Sequence, residues 1–117
     1  MAAVDIGTNT IRMLVAEAQG GRRSVPVMRR RSIVGLGRRL RDTGRIGEAE
    51  FSAGLRVHRE FRREMGRGGV AAYRACGTAC LREAGNRVAF LEAAAGEGID
   101  IEVIGPVEEA RLTWEGI

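Results

Sequence analysis

A short polar segment between two apolar runs is the first place where this sequence could perform chemistry. Asp5 lies near the end of the first run, and Gly7, Thr8, Asn9 and Thr10 follow it. A glycine turn can bring backbone N–H groups close to an anion, and short polar side chains add donors. A carboxylate beside such a turn can hold Mg²⁺ and offset phosphate charge. The segment fits an anion-holding turn or an ordinary hairpin with a polar tip.

Two residues further along the chain could act on a phosphoryl group. Glu109 lies at the start of a predicted helix that follows a strand end, where a rigid element would hold its carboxylate. From the pattern alone, an acid that complements the helix dipole, as Glu108 does, is the better explanation of this position. Arg82 carries a guanidinium fork, which in general can bind a phosphoryl group, but the pattern alone does not separate it from the other basic residues among the 19.

Length, charge and composition narrow the class of protein. The 117 residues suit one compact domain spanning residues 1–117. The net charge is +4 and every basic residue is arginine, which favours a bias in genome composition over a nucleic-acid partner. The net positive charge would still help the protein to bind a polyanion. Aromatic residues make up only 4% of the chain, so a base-stacking surface is not expected.

The cysteines, the single histidine and the hydropathy pattern predict the cellular compartment of the protein and whether it binds a metal ion. The sequence shows no secretory signal and no apolar run near the roughly 20 residues needed to span a membrane. We therefore expect a cytoplasmic protein in which Cys76 and Cys80 are reduced thiols. A metal site at this pair is not favoured, because no second pair exists and His58 is far off in sequence. His58 lies on an apolar helix face and is expected to pack there.

Hydrophobic periodicity predicts the elements that position these residues. The predicted strands are residues 2–6, 11–18, 25–34, 70–77 and 99–104, and the predicted helices run from 48 to the glycines at 66–69, over 78–84, over 87–95 and from 106 to the chain end. Residues 35–47 are predicted to form a loop, and Asn86 is expected to cap a helix. The order βββαβαβα predicts an α/β fold, with a mixed five-stranded sheet and helices on its faces.

Four segments in this order resemble a known family. Residues 4–10 (VDIGTNT) with 12–15 (RMLV) resemble the first phosphate motif of the sugar kinase, actin and heat-shock chaperone superfamily. The Gly-Thr-Asn step is most similar to the exopolyphosphatase and guanosine pentaphosphate phosphohydrolase (Ppx/GppA) family. The loop before the family's first long helix is similar to residues 34–40 and 43–46. The family's Thr-Ser-x-Leu-Arg-x-Ala-x-Asn signature is similar to residues 76–86, and its catalytic-glutamate segment to residues 101–104 and 108–112.

The resemblance implies a fold, an activity and a set of site residues. The fold would be an actin-like ATPase (ribonuclease H-like) domain, and the activity would be release of terminal phosphate from inorganic polyphosphate or guanosine pentaphosphate with Mg²⁺. Glu109 would be the general base for water, and Arg82 would contact phosphate. Gly7, Thr8, Asn9 and Thr10 would bind phosphate, and Asp5 would hold the metal. The resemblance allows a homodimer of the full-length protein.

The chain also departs from the family pattern. Arg38 and Arg39 stand where the family usually has an acidic residue, Cys76 and Cys80 replace commoner small residues, and residues 105–107 replace Ser-Gly. The family's second, glycine-rich phosphate motif is absent. The chain is therefore expected to be the N-terminal lobe of a longer enzyme, with little or no hydrolysis when isolated.

Two other functions compete with this interpretation. One is a lobe of an ATP-dependent enzyme such as a sugar kinase, against which residues 81–82 and 109–111 argue. The other is a non-catalytic module that binds polyphosphate or nucleic acid through its arginines. The sequence leaves the choice between polyphosphate and guanosine pentaphosphate open.

Overall fold

The structure, a computed structural model, describes residues 1–19, 23–70 and 72–114. The strands are β1 Ala2–Ile6, β2 Thr10–Gln19, β3 Arg23–Ile33, β4 Tyr73–Gly77 and β5 Ile101–Val103, and the helices are α1 Leu40–Thr43, α2 Glu48–Arg67, α3 Ala79–Glu83, α4 Arg87–Gly96 and α5 Pro106–Trp114. The strands form one mixed sheet in the order β3-β2-β1-β4-β5. The predicted α/β fold and five-stranded mixed sheet are confirmed.

The first three strands form an antiparallel meander, and the last two add parallel strands. β1 pairs with β2, and β2 with β3, in antiparallel fashion. β4 pairs with β1, and β5 with β4, in parallel fashion. The carboxyl ends of β1, β4 and β5 therefore meet at one edge of the sheet. The turn after β1, the start of α3 and the start of α5 all follow strand ends at that edge.

One face of the sheet carries the core. Alternation along β1 buries Ala2, Val4 and Ile6, and these side chains share a cluster with Phe61 of α2 and Phe90 of α4. The helix α2 follows the predicted spacing of three and four residues, and its apolar face packs on the sheet. Ala3 and Asp5 alternate onto the other face of the sheet. That second face carries the polar side chains of the candidate site.

Several predicted boundaries are wrong. Residues 40–43 form the short helix α1 inside the predicted loop, with none of its residues buried. β4 begins at Tyr73 instead of residue 70, and β5 covers only Ile101–Val103. Ile99 is fully buried but precedes β5, so burial alone produced the apparent alternation there.

The predicted capping role of Asn86 is also wrong in its mechanism. Asn86 occupies the cap position of α4, but its side chain makes no capping hydrogen bond. The side-chain oxygen instead accepts the N–H of Ile46 at 2.8 Å, and the side-chain amide donates to the carbonyl of Ile46 at 3.0 Å. Asn86 therefore ties the start of α4 to the loop before α2.

Candidate active site

The predicted phosphate-binding turn is a tight bend between β1 and β2. The N–H of Gly7 donates to the carbonyl of Thr10 at 3.0 Å and closes the bend. A Cβ atom at Gly7 would lie 3.0 Å from that carbonyl oxygen, closer than most side-chain contacts. Glycine therefore permits the close approach of the two strands. Thr8 and Thr10 are half-buried, and Asn9 is exposed.

The loop after β3 holds the turn from one side. The N–H groups of Val34 and Gly35 both donate to the carbonyl of Asn9, at 3.0 and 2.9 Å. The N–H of Gly37 donates to the carbonyl of Thr8 at 2.9 Å, and a Cβ atom at Gly37 would collide with Thr8 Cγ2. These bonds occupy the carbonyl oxygens of the turn. An approaching anion therefore meets fewer free acceptor oxygens there.

Asp5 lies on the second face of the sheet, opposite Arg12 on β2 and Cys76 on β4 in the strand register. Burial raises the pKa of the Asp5 carboxyl, the Arg12 guanidinium lowers it in part, and the negative charge of Glu109 raises it further. The carboxylates of Asp5 and Glu109 are therefore close enough to repel each other. A cation between them would relieve that repulsion.

A threonine links the start of α3 to the end of β1. The N–H and the hydroxyl of Thr78 both donate to the carbonyl of Ile6, each at 3.2 Å. Gly77 precedes it, and a Cβ atom there would lie 2.5 Å from Leu81 Cδ1. The absence of a side chain at Gly77 lets α3 pack closely on the end of β4. This arrangement places Arg82, on the last turn of α3, near the sheet edge.

Arg82 and Glu109 form an ion pair at that edge. Arg82 Nη1 lies 3.0 Å from Glu109 Oε2, and the same nitrogen donates to the carbonyl of Ile104 at 2.8 Å. The N–H of Glu109 donates to the carbonyl of Gly105 at 2.9 Å, as the first turn of α5 requires. The side chains are 24% and 37% exposed, so both stay accessible to a ligand. The guanidinium has five donors and can bind a further anion.

The structure thus brings the predicted site residues to one end of the sheet. The turn at residues 7–10 follows β1, Arg82 follows β4, and Glu109 follows β5. A pocket of about 490 Å³ opens beside them on the second face of the sheet. Asp5 and Arg12 line it together with arginines 29–31 of β3, whereas Arg82 and Glu109 do not. The predicted residues therefore surround the sheet edge rather than fill one cavity.

The cysteines and the histidine are buried, although Cys76 lies next to Asp5 in the strand register. Cys76 and Cys80 are free and buried, and burial raises the pKa of Cys80 to about 11. His58 is fully buried in α2, and its Nδ1 lies 2.6 Å from the carbonyl of Gly54. It contacts Phe90 edge to face, with 5.7 Å between ring centroids. His58 is a packing residue, as its position on the apolar helix face predicted.

The strand order and the glycine turn between the first two strands define an α/β lobe of the actin-like class. The Ppx/GppA family member of Aquifex aeolicus has the same fold, with a TM-score of 0.90, 31% identity, and coverage of 94% of this chain and 36% of that one. An exopolyphosphatase from Cytophaga hutchinsonii gives a TM-score of 0.89 at 29% identity over 95% of this chain and 36% of that one.

The sequence comparisons define the family. The sequence model of the Ppx/GppA phosphatase family matches residues 14–117, and this chain belongs to that family. It is 27% identical to exopolyphosphatase 1 of Mycobacterium leprae over 97% of this chain and 34% of the relative. It is 35% identical to a guanosine-5'-triphosphate,3'-diphosphate pyrophosphatase of Aeromonas hydrophila over 99% of this chain and 23% of the relative. The chain thus spans about a third or less of these relatives.

Two findings bear on the other predictions. Over residues 1–19, 23–70 and 72–114, no helix has the length and apolar character to span a membrane. The same residues contain no group of three or more His, Cys, Asp or Glu side chains that could hold a metal ion.

Sequence reasoning missed Arg74 and Thr78 as parts of this region, and Thr78 could have been found from its place in the segment 76–86.

Proposed function

We propose that this chain forms the N-terminal lobe of a phosphoanhydride hydrolase that releases terminal phosphate from polyphosphate or guanosine pentaphosphate. The ion pair between Arg82 and Glu109, at the same sheet edge as the glycine turn, carries the proposal. The proposed base, the proposed phosphate-binding cation and the backbone donors of the turn all follow strand ends at this edge, which supports the proposal. The names of the relatives support the choice of phosphoanhydride substrates.

The residues divide the reaction among themselves. The turn at residues 7–10 binds oxygens of the terminal phosphate, and Arg82 binds the developing charge on the transferred group. The Glu109 carboxylate accepts a proton from water while the water oxygen attacks the terminal phosphorus. The bridging P–O bond breaks and its electron pair leaves with the shortened chain. Glu109 then returns its proton to solvent.

Asp5 would hold a divalent cation, for which Mg²⁺ is the proposed identity. Mg²⁺ commonly binds through one or two carboxylates, several waters and the phosphates of the substrate. A half-buried carboxylate beside the negative charge of Glu109 fits this donor set. Among the described residues there is no dedicated cage of protein ligands for a metal ion. When bound, the cation would supply neutralisation of phosphate charge. Asp5 itself lines the pocket on the second face of the sheet.

The hydrolysis test joins this chain to the remaining residues of the Aquifex aeolicus relative, because the chain covers only 36% of that protein. With Mg²⁺, we expect phosphate release from polyphosphate and guanosine pentaphosphate to fall roughly 100- to 10,000-fold in Glu109→Gln. Glu83→Gln, an exposed carboxylate beside Arg82, is the matched control and should keep full activity. Equal activity in Glu109→Gln and the control would refute the base assignment.

The other functions give different results in the same assays. A kinase-like lobe would release phosphate from ATP faster than from polyphosphate. A binding module would hold tripolyphosphate in the wild-type 117-residue chain, lose it in Arg82→Ala and show no hydrolysis in the joined protein. The proposed hydrolase requires tripolyphosphate binding and Glu109-dependent release together.

A further inference from the structure

The start of α5, which carries Glu109, is held to the rest of the chain with little apolar packing. Pro106, Val107 and Ala110 are exposed, and Val107 is 85% exposed. Among residues 106–111, whose side chains the structure describes, only Glu108 and Glu109 are half-buried. Over residues 106–111, the contacts that hold α5 to the sheet are therefore polar and lie at its first turn.

Arg74 supplies one of these contacts. It lies on β4 opposite Ala3, and so on the same face of the sheet as Asp5. Its Nη2 lies 2.7 Å from Glu108 Oε1, and its Nε lies 3.0 Å from Glu102 Oε2. A single guanidinium thus connects three elements, namely β4, β5 and α5. Both carboxylates raise the pKa of Arg74, which is therefore charged at any physiological pH.

The second contact is made by the adjacent residue of the same helix. Glu108 binds Arg74 on β4, and Glu109 binds Arg82 on α3. Successive side chains on a helix point about 100° apart, so two ion pairs from neighbouring residues fix the rotation of the helix about its axis. Loss of the Glu108 contact would leave the Glu109 carboxylate free to swing with the helix. The site would then lose the alignment of base and arginine.

We infer that Arg74 is a positioning residue that acts through Glu108 and α5 to hold Glu109 against Arg82. This inference rests on the proposed function for its catalytic consequence, whereas its geometric consequence is independent of activity. An arginine suits the role because its planar fork binds two carboxylates in a fixed geometry, which lysine cannot do. Arg74 is 36% exposed and its partners 58% and 45%, so the pairs contribute little to global stability.

The geometric test uses the 117-residue chain and carbon NMR of the Glu109 carboxylate. In the wild type, the Arg82 guanidinium should give a slowly exchanging signal, and the Glu109 carboxylate should give one sharp carbon resonance at a fixed pH. Arg74→Ala and Glu108→Gln should each broaden the Arg82 signal and shift the Glu109 carboxylate resonance. The matched control is Arg59→Ala, which removes an ion pair of 3.0 Å between Arg59 and Glu97 on the other side of the molecule. Unchanged Arg82 and Glu109 signals in both Arg74→Ala and Glu108→Gln overturn the inference.

The kinetic test uses the joined protein with phosphate release from polyphosphate. Arg74→Ala should lower kcat by about tenfold or more with little change in KM, because misplacement of a catalytic group affects the chemical step. Arg74→Lys should recover part of kcat, and the double variant with Glu108→Gln should be no slower than either single variant. A loss of kcat in Arg74→Ala no larger than in Arg59→Ala refutes the role. If the wild type releases no phosphate, the proposed function fails while the NMR result still decides the positioning role.

Discussion

Arg82 Nη1 lies 3.0 Å from Glu109 Oε2, so the proposed base and the proposed phosphate-binding cation neutralise each other in the free lobe. The same nitrogen also donates to the carbonyl of Ile104, which fixes the guanidinium at the end of β5. An incoming phosphate would share the remaining donors of Arg82 and weaken its hold on the carboxylate.

Replacement of Arg82 tests whether the fork geometry matters beyond its charge. In the joined protein, Arg82→Ala should lower kcat/KM for polyphosphate by about tenfold or more, the equivalent of a lost charged hydrogen bond. Arg82→Lys should restore only part of it, because an ammonium cannot bind the Ile104 carbonyl, Glu109 and phosphate in one plane. Arg63→Ala, an exposed arginine on α2, controls for net charge and should change kcat/KM less than twofold. Wild-type activity in Arg82→Lys would show that charge alone suffices.

The close packing of the loop on the glycine turn gives a prediction about Gly37. A methyl group in Gly37→Ala would collide with Thr8 Cγ2, so the Thr8 side chain or the turn that carries it must shift. We expect weaker tripolyphosphate binding by calorimetry and a lower free energy of unfolding. In contrast, Gly66→Ala adds a methyl group in open space within α2 and should stabilise the fold by about 0.5–1 kcal/mol. Unchanged binding and stability in Gly37→Ala would mean that the loop after β3 accommodates the methyl group by moving at no measurable cost.

The hydrogen bonds between Asn86 and Ile46 predict a stability effect that a helix cap would not give. Asn86→Ala removes both bonds, at 2.8 and 3.0 Å, and leaves the partly buried backbone groups of Ile46 without a partner. The expected loss in the free energy of unfolding by urea is about 1–3 kcal/mol. Asn86→Ser retains a good capping residue but cannot bridge both groups, so it should be nearly as destabilised. Full stability in the serine variant would support a capping role instead.

The sequence predicted the parts of this fold that depend on local periodicity. β1 and α2 were found because their buried residues repeat at the spacing of a strand and of a helix. The four-residue helix α1 was not predicted, because none of its residues is buried and it has no apolar pattern. The role of Arg74 was not predicted for another reason, because its partners Glu102 and Glu108 are 28 and 34 residues away in sequence. Pairing over such distances depends on strand order, which the sequence shows only indirectly.

The buried histidine of α2 gives a prediction about pH. His58 is fully buried, its Nδ1 donates to the carbonyl of Gly54, and its Nε2 has no hydrogen-bond partner among the residues that the structure describes. Burial lowers the pKa of His58 below its ordinary value of 6.5, and the bond to Gly54 opposes this in part. The unfolded chain therefore binds a proton more readily than the folded one. The resulting stability is complete above pH 6.5 and falls as the pH drops below it.

Urea unfolding followed by circular dichroism from about pH 8 to about pH 5 measures this effect. The wild-type free energy of unfolding should decrease over that range, starting near the ordinary histidine pKa. His58→Gln provides a comparison with a side chain that does not titrate, and the fall through this range should be much smaller in it even if its overall stability is lower. The slope, rather than the absolute stability, decides the result. A parallel decline in both proteins would assign the pH dependence to other groups.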